Sequence, residues 1–158
     1  AYLEGNLDSD YAIARLSGSP GNEIGWYGFK TFKSTWVNTK SLWIVGGYSS
    51  NFKKHGDVMT INRGRCSVRH QEDNILFHDC DTGPGSSGTM LFGTWDGIAH
   101  IVGINVAQYV KGGKGKCKKF DKDKCTNLAI SQNKFIQDIE KYMRLHTSND
   151  FDAAGFKK

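Results

Sequence analysis

A glycine- and serine-rich segment, residues 82–89, constrains the fold of this chain most, because it separates two hydrophobic runs and cannot itself continue a strand. Ile75-Leu76-Phe77 precedes the segment and Met90-Leu91-Phe92 follows it. Since glycine and proline weaken or break a strand ladder, we predict a rigid loop between two strands. We expect the loop to hold Ser87 in a fixed, exposed place. Gly85 lets the loop turn so that the N–H groups of residues 85 and 87 point at one spot, the geometry of an oxyanion hole.

This loop carries a resemblance to a known family. Gly85-Ser86-Ser87-Gly88 resembles the Gly-x-Ser-Gly centre of the trypsin-like serine proteases. Asp81-Thr82 before it and Thr89 after it are most similar to the V8-like glutamyl endopeptidase branch of that family. The α/β-hydrolase elbow does not fit, because it needs glycine where this chain has Thr89 or Pro84. The alternative is a surface turn without chemistry. The resemblance implies Ser87 as the nucleophile and the amides of Gly85 and Ser87 as the oxyanion hole.

The resemblance also implies a fold, an all-β double barrel of the trypsin-like type. We expect residues 1–22 to give the last strand of the N-terminal barrel and a linker. Residues 23–131 then form the whole C-terminal barrel with the nucleophile loop, 132–145 a C-terminal α-helix, and 146–158 a polar tail. The length of 158 residues suits one ordinary domain. Independent local signals are the hairpin turn at Asp96-Gly97 and apolar residues at helical spacing: Phe135, Ile136, Ile139, Tyr142 and Met143.

Asp10 is the candidate for the acidic member of a catalytic triad. The segment from Asp8 to Leu16 is similar to the strand that carries the triad aspartate in trypsin-like proteases. By that match Asp10, rather than Asp8, orients the catalytic imidazole and stabilises its charged form. The alternative is that Asp10 merely begins an edge strand.

The histidine of such a triad is missing from its expected place, upstream of Asp10. The five histidines all follow Asp10 without the family's sequence context, and we interpret all of them as surface or core residues: His55, His70, His78, His100 and His146. Two accounts stay open. In one, this is the heavy chain of a two-chain serine endopeptidase, and a light chain supplies the histidine and most of barrel one. In the other, the chain is an inactive relative that acts as a protein- or polyanion-binding module.

The resemblance places three residues at the primary specificity pocket. Asp81, six residues before the nucleophile, lies at the pocket base, and a largely dehydrated carboxylate there favours cleavage after Arg or Lys. Asn105 stands where glutamate-specific relatives carry histidine, which argues against glutamate specificity. Gln108, on the same strand, is able to intrude into the pocket. Alternatively, Asp81 turns away to hydrogen-bond its own loop.

Cysteine and charge patterns suggest the compartment and the partners. We interpret the four cysteines as two local disulfides, Cys66–Cys80 and Cys117–Cys125, and therefore expect secretion or another oxidising compartment. The alternative is four buried thiols. The lysine-rich stretch Lys111–Lys124 is either a solvated loop or a patch for a polyanion. We expect a protein or peptide substrate, no cofactor, no metal, and no membrane, since no apolar run approaches the length of a span.

Overall fold

A computed structural model describes residues 7–39, 42–45, 61–112 and 119–146 of the chain. The strands are β1 (Gly28–Phe29), β2 (Leu42–Val45), β3 (Ile61–Cys66), β4 (Val68–Glu72), β5 (Ile75–His78), β6 (Met90–Trp95), β7 (Ile98–Val110) and β8 (Cys125–Ser131). The helices are the single turn α1 (Gly21–Ile24) and the long α2 (Gln132–His146), with 3-10 turns at Leu7–Ser9 and Ser34–Trp36. The described part is thus mostly β-sheet with one C-terminal helix, which confirms the predicted class and helix.

The described strands form one sheet. Its order is β3-β2-β6-β7-β8-β5-β4, and the short β1 pairs in parallel with β7 at the side. The two outermost strands of that order, β3 and β4, are consecutive in the chain and are separated only by Ser67. The other pairings are antiparallel, and hairpin turns such as Asp96-Gly97 join neighbours. Both turn residues have positive φ, 52° and 78°, as a tight two-residue hairpin requires.

Two clusters of apolar side chains hold the sheet and the helix together. Leu76, Leu91 and Val102 are fully buried in the first cluster. The second joins β8 to α2, since Leu128 and Ile130 of the strand and Phe135 of the helix are buried together. Burial of each such side chain contributes about 1.5–3 kcal/mol. The second cluster therefore packs helix α2 against β8.

The predicted disulfide Cys66–Cys80 is confirmed, with the two Cα atoms 4.6 Å apart. It joins the end of β3 to the start of the loop that carries Ser87, the serine loop (residues 79–89). Asp79 reinforces this junction, because its carboxylate accepts hydrogen bonds from the Ser67 N–H at 2.7 Å and from Arg69 Nε at 2.5 Å. Cys125 is also disulfide-bonded. The other half of the predicted second bridge, Cys117, lies outside the described residues.

The N-terminal segment differs from the prediction. No strand forms at residues 10–16, where the Asp10 motif predicted one. Instead Tyr11 packs on Phe135 of α2, with ring centroids 6.0 Å apart, and its hydroxyl donates a hydrogen bond to Asp138. Phe29 contacts the same Phe135 ring at 6.1 Å. Contacts with the helix thus hold Tyr11, and residues 10–16 form no strand ladder with the described strands.

Two further comparisons with the predictions concern the strands. The aromatic and β-branched runs at 24–29 and 41–48 also predict strands, and within them the structure describes strand at Gly28–Phe29 and Leu42–Val45. Residues 46–60 and the tail from residue 147 lie outside the described residues. No helix in the described ranges is long and apolar enough to cross a membrane.

Candidate active site

The serine loop runs from Asp79 to Thr89, between β5 and β6. Two glycines shape it, Gly85 with φ 90° and Gly88 with φ 84°. Residues with a side chain rarely adopt this left-handed region, because Cβ comes too close to the following carbonyl oxygen. These two glycines therefore let the chain reverse direction on either side of Ser86-Ser87. The predicted turn-rich loop is present at the predicted place.

The two neighbouring serines of the loop have different surroundings. Ser86 is 6% exposed, its N–H donates to the Gly83 carbonyl at 3.0 Å, and its hydroxyl oxygen accepts from the Gly83 N–H at 3.1 Å. Its hydroxyl is thus used to close the turn. Ser87 is exposed, and its hydroxyl donates to the Val106 carbonyl of β7 at 3.1 Å. Of the two hydroxyls, only that of Ser87 is accessible to a substrate.

Two N–H groups of the loop are available for an acceptor from outside. The N–H groups of Gly85 and Ser87 have no hydrogen-bond acceptor among the residues that the structure describes. Both residues are exposed. An oxyanion hole needs accessible N–H donors close to the nucleophile, and these two N–H groups are candidates for that role. The sequence-predicted nucleophile and oxyanion donors therefore lie on one accessible loop.

Asn105 of β7 ties this loop to the sheet. Its amide Nδ2 donates to the Ser86 carbonyl at 2.9 Å, and its backbone exchanges hydrogen bonds with Gly88 and Thr89, each 2.8 Å long. The side chain is only 3% exposed. The sequence placed Asn105 at the specificity pocket but did not predict that its side chain binds the nucleophile loop.

Behind Asn105 lies a buried histidine, His78, at the end of β5. Its Nε2 is 3.1 Å from Asn105 Oδ1, and the whole residue is buried. Burial lowers the pKa of His78 from 6.5 to about 4, although the bond to Asn105 and the nearby Asp79 act in the opposite direction. The ring is therefore neutral at physiological pH. The sequence analysis predicted a surface or core position for this histidine, and the structure places it in the core.

The predicted acid is not joined to the loop. Asp10 is exposed, its N–H donates to the Leu7 carbonyl at 3.2 Å, and its carboxylate has no partner in the described ranges. A general base beside Ser87 is likewise not found among the described histidine side chains: His70 lies 3.8 Å from Glu72, His78 contacts Asn105, and His100 Nδ1 lies 3.0 Å from the Ile98 carbonyl. His55 is outside the described residues, as is the side chain of His146.

The other predicted pocket residues are exposed. Asp81 is exposed, and no described residue forms an ion pair or hydrogen bond with it. Gln108, on β7, is also exposed. Among the described residues, the Asp81 carboxylate therefore lacks the dehydrated surroundings that we expected, whereas Asn105 is buried.

The described residues hold no group of three or more His, Cys, Asp or Glu side chains placed to bind a metal ion. Comparison with known proteins adds no identification. No protein-family model matches the chain, and no curated protein sequence is significantly similar to it. The chemistry of this loop therefore has to be inferred from its own geometry.

Proposed function

We propose that this chain is the heavy chain of a trypsin-like serine endopeptidase, with Ser87 as its nucleophile. One observation carries the proposal. The Ser87 hydroxyl lies on the same exposed loop as the N–H groups of Gly85 and Ser87, which have no described hydrogen-bond acceptor. Acyl transfer by serine needs a nucleophile that a substrate can reach and donors for the developing oxyanion. In this proposal the sheet is the C-terminal barrel, and residues 1–22 end the first barrel.

The reaction follows from these groups and one histidine. The histidine takes the Ser87 proton as Oγ attacks the carbonyl carbon of the scissile bond, and the N–H groups of Gly85 and Ser87 bind the oxyanion. Collapse of the intermediate breaks the C–N bond, and the histidine returns the proton to the leaving amine. Water then hydrolyses the acyl-enzyme. Because the Ser87 hydroxyl donates to the Val106 carbonyl in this structure, it has to rotate toward the histidine first.

We place the histidine on a second polypeptide, a light chain cut from a common precursor, which also completes the first barrel. Asp10 is exposed and without a described partner, so its carboxylate is accessible to an imidazole from outside the chain. Large apolar side chains in the same N-terminal region are also uncovered: Leu16 is 66%, Ile24 85% and Trp26 77% exposed. Exposed apolar side chains of this size, close together in sequence, favour a protein partner. Since all four cysteines can pair internally, the light chain is held without a disulfide.

The proposed substrates are proteins or peptides cleaved after Arg or Lys, with Asp81 as the recognising carboxylate. An exposed, unpaired Asp81 is able to bind a cationic side chain, and bidentate pairing favours Arg. Secretion, or another oxidising compartment, is part of the proposal, and the Cys66–Cys80 disulfide supports it.

A fluorophosphonate probe on native material tests the proposal. We expect covalent labelling at Ser87, found by peptide mapping, and complete loss of labelling in Ser87→Ala. Ser86→Ala is the matched control: it should keep the labelling, but lose about 1–2 kcal/mol of stability because the partly buried Gly83 N–H loses its acceptor.

Two further results would decide against parts of the proposal. Absence of labelling in native material would favour the inactive homologue, and retention on heparin that falls steeply with salt would then support a polyanion-binding role for Lys111–Lys124. An intact-mass spectrum under non-reducing, denaturing conditions tests the light chain. A single species with the mass of this chain alone would contradict the two-chain arrangement.

A further inference from the structure

The Ser86 carbonyl oxygen is the point at which the serine loop is anchored. It accepts hydrogen bonds from Thr89 Oγ1 at 2.8 Å, Asn105 Nδ2 at 2.9 Å and the Thr89 N–H at 3.2 Å. All three donors belong to residues that are at most 8% exposed. A buried carbonyl with three donors keeps its direction, because any rotation of the peptide plane leaves buried polar groups unpaired.

The direction of this carbonyl also determines where the next N–H points. The peptide bond is planar and trans, so the Ser87 N–H points away from the Ser86 carbonyl across the same plane. Donors on the inner side of the peptide therefore direct the Ser87 N–H outward, where it has no described acceptor. Hydrogen bonds to a carbonyl also polarise the peptide group, which makes its N–H a stronger donor.

Asn105 is the donor that the sheet itself holds in place. Its backbone is bonded to the two residues that follow Ser87, because its carbonyl accepts from the Gly88 N–H and its N–H donates to the Thr89 carbonyl. With Nδ2 on the Ser86 carbonyl, Oδ1 has to face His78, and it lies 3.1 Å from Nε2. A neutral His78 that donates from Nε2 fits this acceptor and fixes the orientation of the amide.

We propose that Asn105 is a positioning residue of the proposed protease: it holds the Ser86–Ser87 peptide so that the Ser87 N–H is presented to the substrate oxyanion, and His78 fixes Asn105 in turn. This rests on the proposed function, and it goes beyond the pocket role that the sequence suggested for Asn105. Catalysis then depends on a residue that touches neither the substrate nor the Ser87 hydroxyl.

The first test is independent of activity. In ¹H–¹⁵N NMR spectra of the assembled protein we expect Asn105→Ala to shift or broaden the Ser87 amide signal. Asn127→Ala is the matched control, because Asn127 is another buried amide of the sheet but donates to the Cys80 carbonyl, at 2.6 Å. It should lower the melting temperature comparably and leave the Ser87 signal in place. If Asn105→Ala does not fold, Thr89→Val removes the other side-chain donor to the Ser86 carbonyl and should act in the same way.

The second test is kinetic. For Asn105→Ala we expect kcat on a peptide substrate to fall about 10- to 100-fold with little change in KM, somewhat less than the loss of a direct oxyanion donor. Asn127→Ala should keep the wild-type kcat. A Ser87 amide signal and a kcat that are both unchanged in Asn105→Ala would overturn the positioning role. If the wild type has no activity, the proposed function fails, but the NMR comparison still decides whether Asn105 fixes this peptide.

Discussion

The sheet buries one titratable ring, His78, completely, and this makes the fold sensitive to acid. The ring contacts Asn105, which bonds the nucleophile loop, so a charge on it would stand directly behind the candidate site. Since burial disfavours the charged form, the folded protein binds this proton only near pH 4, whereas the unfolded chain binds it near pH 6.5. Between those values the unfolded state holds more protons, and acid therefore favours unfolding.

We predict that the free energy of unfolding falls as the pH falls from 7 to 5, with about 2 kcal/mol of the loss due to His78. Urea unfolding at the two pH values measures it. In His78→Gln, whose amide can still donate to Asn105 Oδ1 but does not titrate, this part of the loss should disappear. An identical pH dependence in wild type and variant would show that His78 is not the group responsible.

Unlike His78, Asp81 is exposed, and it has no ion-pair partner among the described residues. Its exposure to water limits how much Asp81 can contribute to substrate specificity. An ion pair in water is worth about 0.2–1 kcal/mol. We therefore predict that Asp81→Ser lowers kcat/KM for Arg and Lys peptides by no more than about 5-fold and leaves Glu and Phe peptides unchanged. Equal losses for all four peptides would mean that Asp81 supports the loop instead of recognising the substrate.

Among the elements, the serine loop depends most on the covalent link at its start. The Cys66–Cys80 bridge closes a loop with a sequence separation of 14. Cross-linking over such a length restricts the unfolded chain and contributes about 3 kcal/mol. We predict that the double variant Cys66→Ala/Cys80→Ala loses about this much stability in urea unfolding. Asp79→Asn is the comparison, since it weakens the neighbouring contact with Arg69 without touching the bridge. If Asp79→Asn lost as much stability as the double variant, the loss could not be assigned to the bridge, which would contradict the prediction.

Elements with local signals could be predicted from the sequence. The Asp96-Gly97 turn needs two residues with positive φ, and helix α2 needs only an apolar stripe with helical spacing, so short segments are enough to specify both. The serine loop belongs to the same group, because its glycines permit the turn at Ser86-Ser87.

Elements that depend on distant partners could not be predicted. Strand β8 has no alternation of apolar and polar residues, because Thr126, Asn127 and Ser131 are buried together with its apolar residues. In the sheet it lies between β7, which precedes it in the chain, and β5, which is far away in sequence. The contact between Asn105 and His78 likewise joins residues of two different strands, β7 and β5, that are distant in sequence. Residues 10–16 show the reverse case: the motif predicted a strand, but no described strand pairs with it.

At the scale of the whole molecule, the N-terminal segment exposes large apolar side chains that no described residue of this chain covers. Trp26 is 77% and Ile24 85% exposed, close in sequence to β1, which pairs with β7. Large apolar side chains of this exposure are costly in water unless a partner buries them. In the proposed function that partner is the light chain, which brings the histidine toward Asp10.

We therefore predict that Trp26→Gln weakens the association of the two chains about 10- to 100-fold, the range expected for losing one aromatic anchor at an interface. Analytical ultracentrifugation of the co-produced chains measures the dissociation constant, and probe labelling of Ser87 should fall with the fraction of paired chains. Met143→Gln on helix α2 is the control, since Met143 is 47% exposed but lies outside the N-terminal segment. Since Trp26 is largely exposed, neither variant should unfold the heavy chain. Wild-type association in Trp26→Gln would show that the light chain, if present, binds another face.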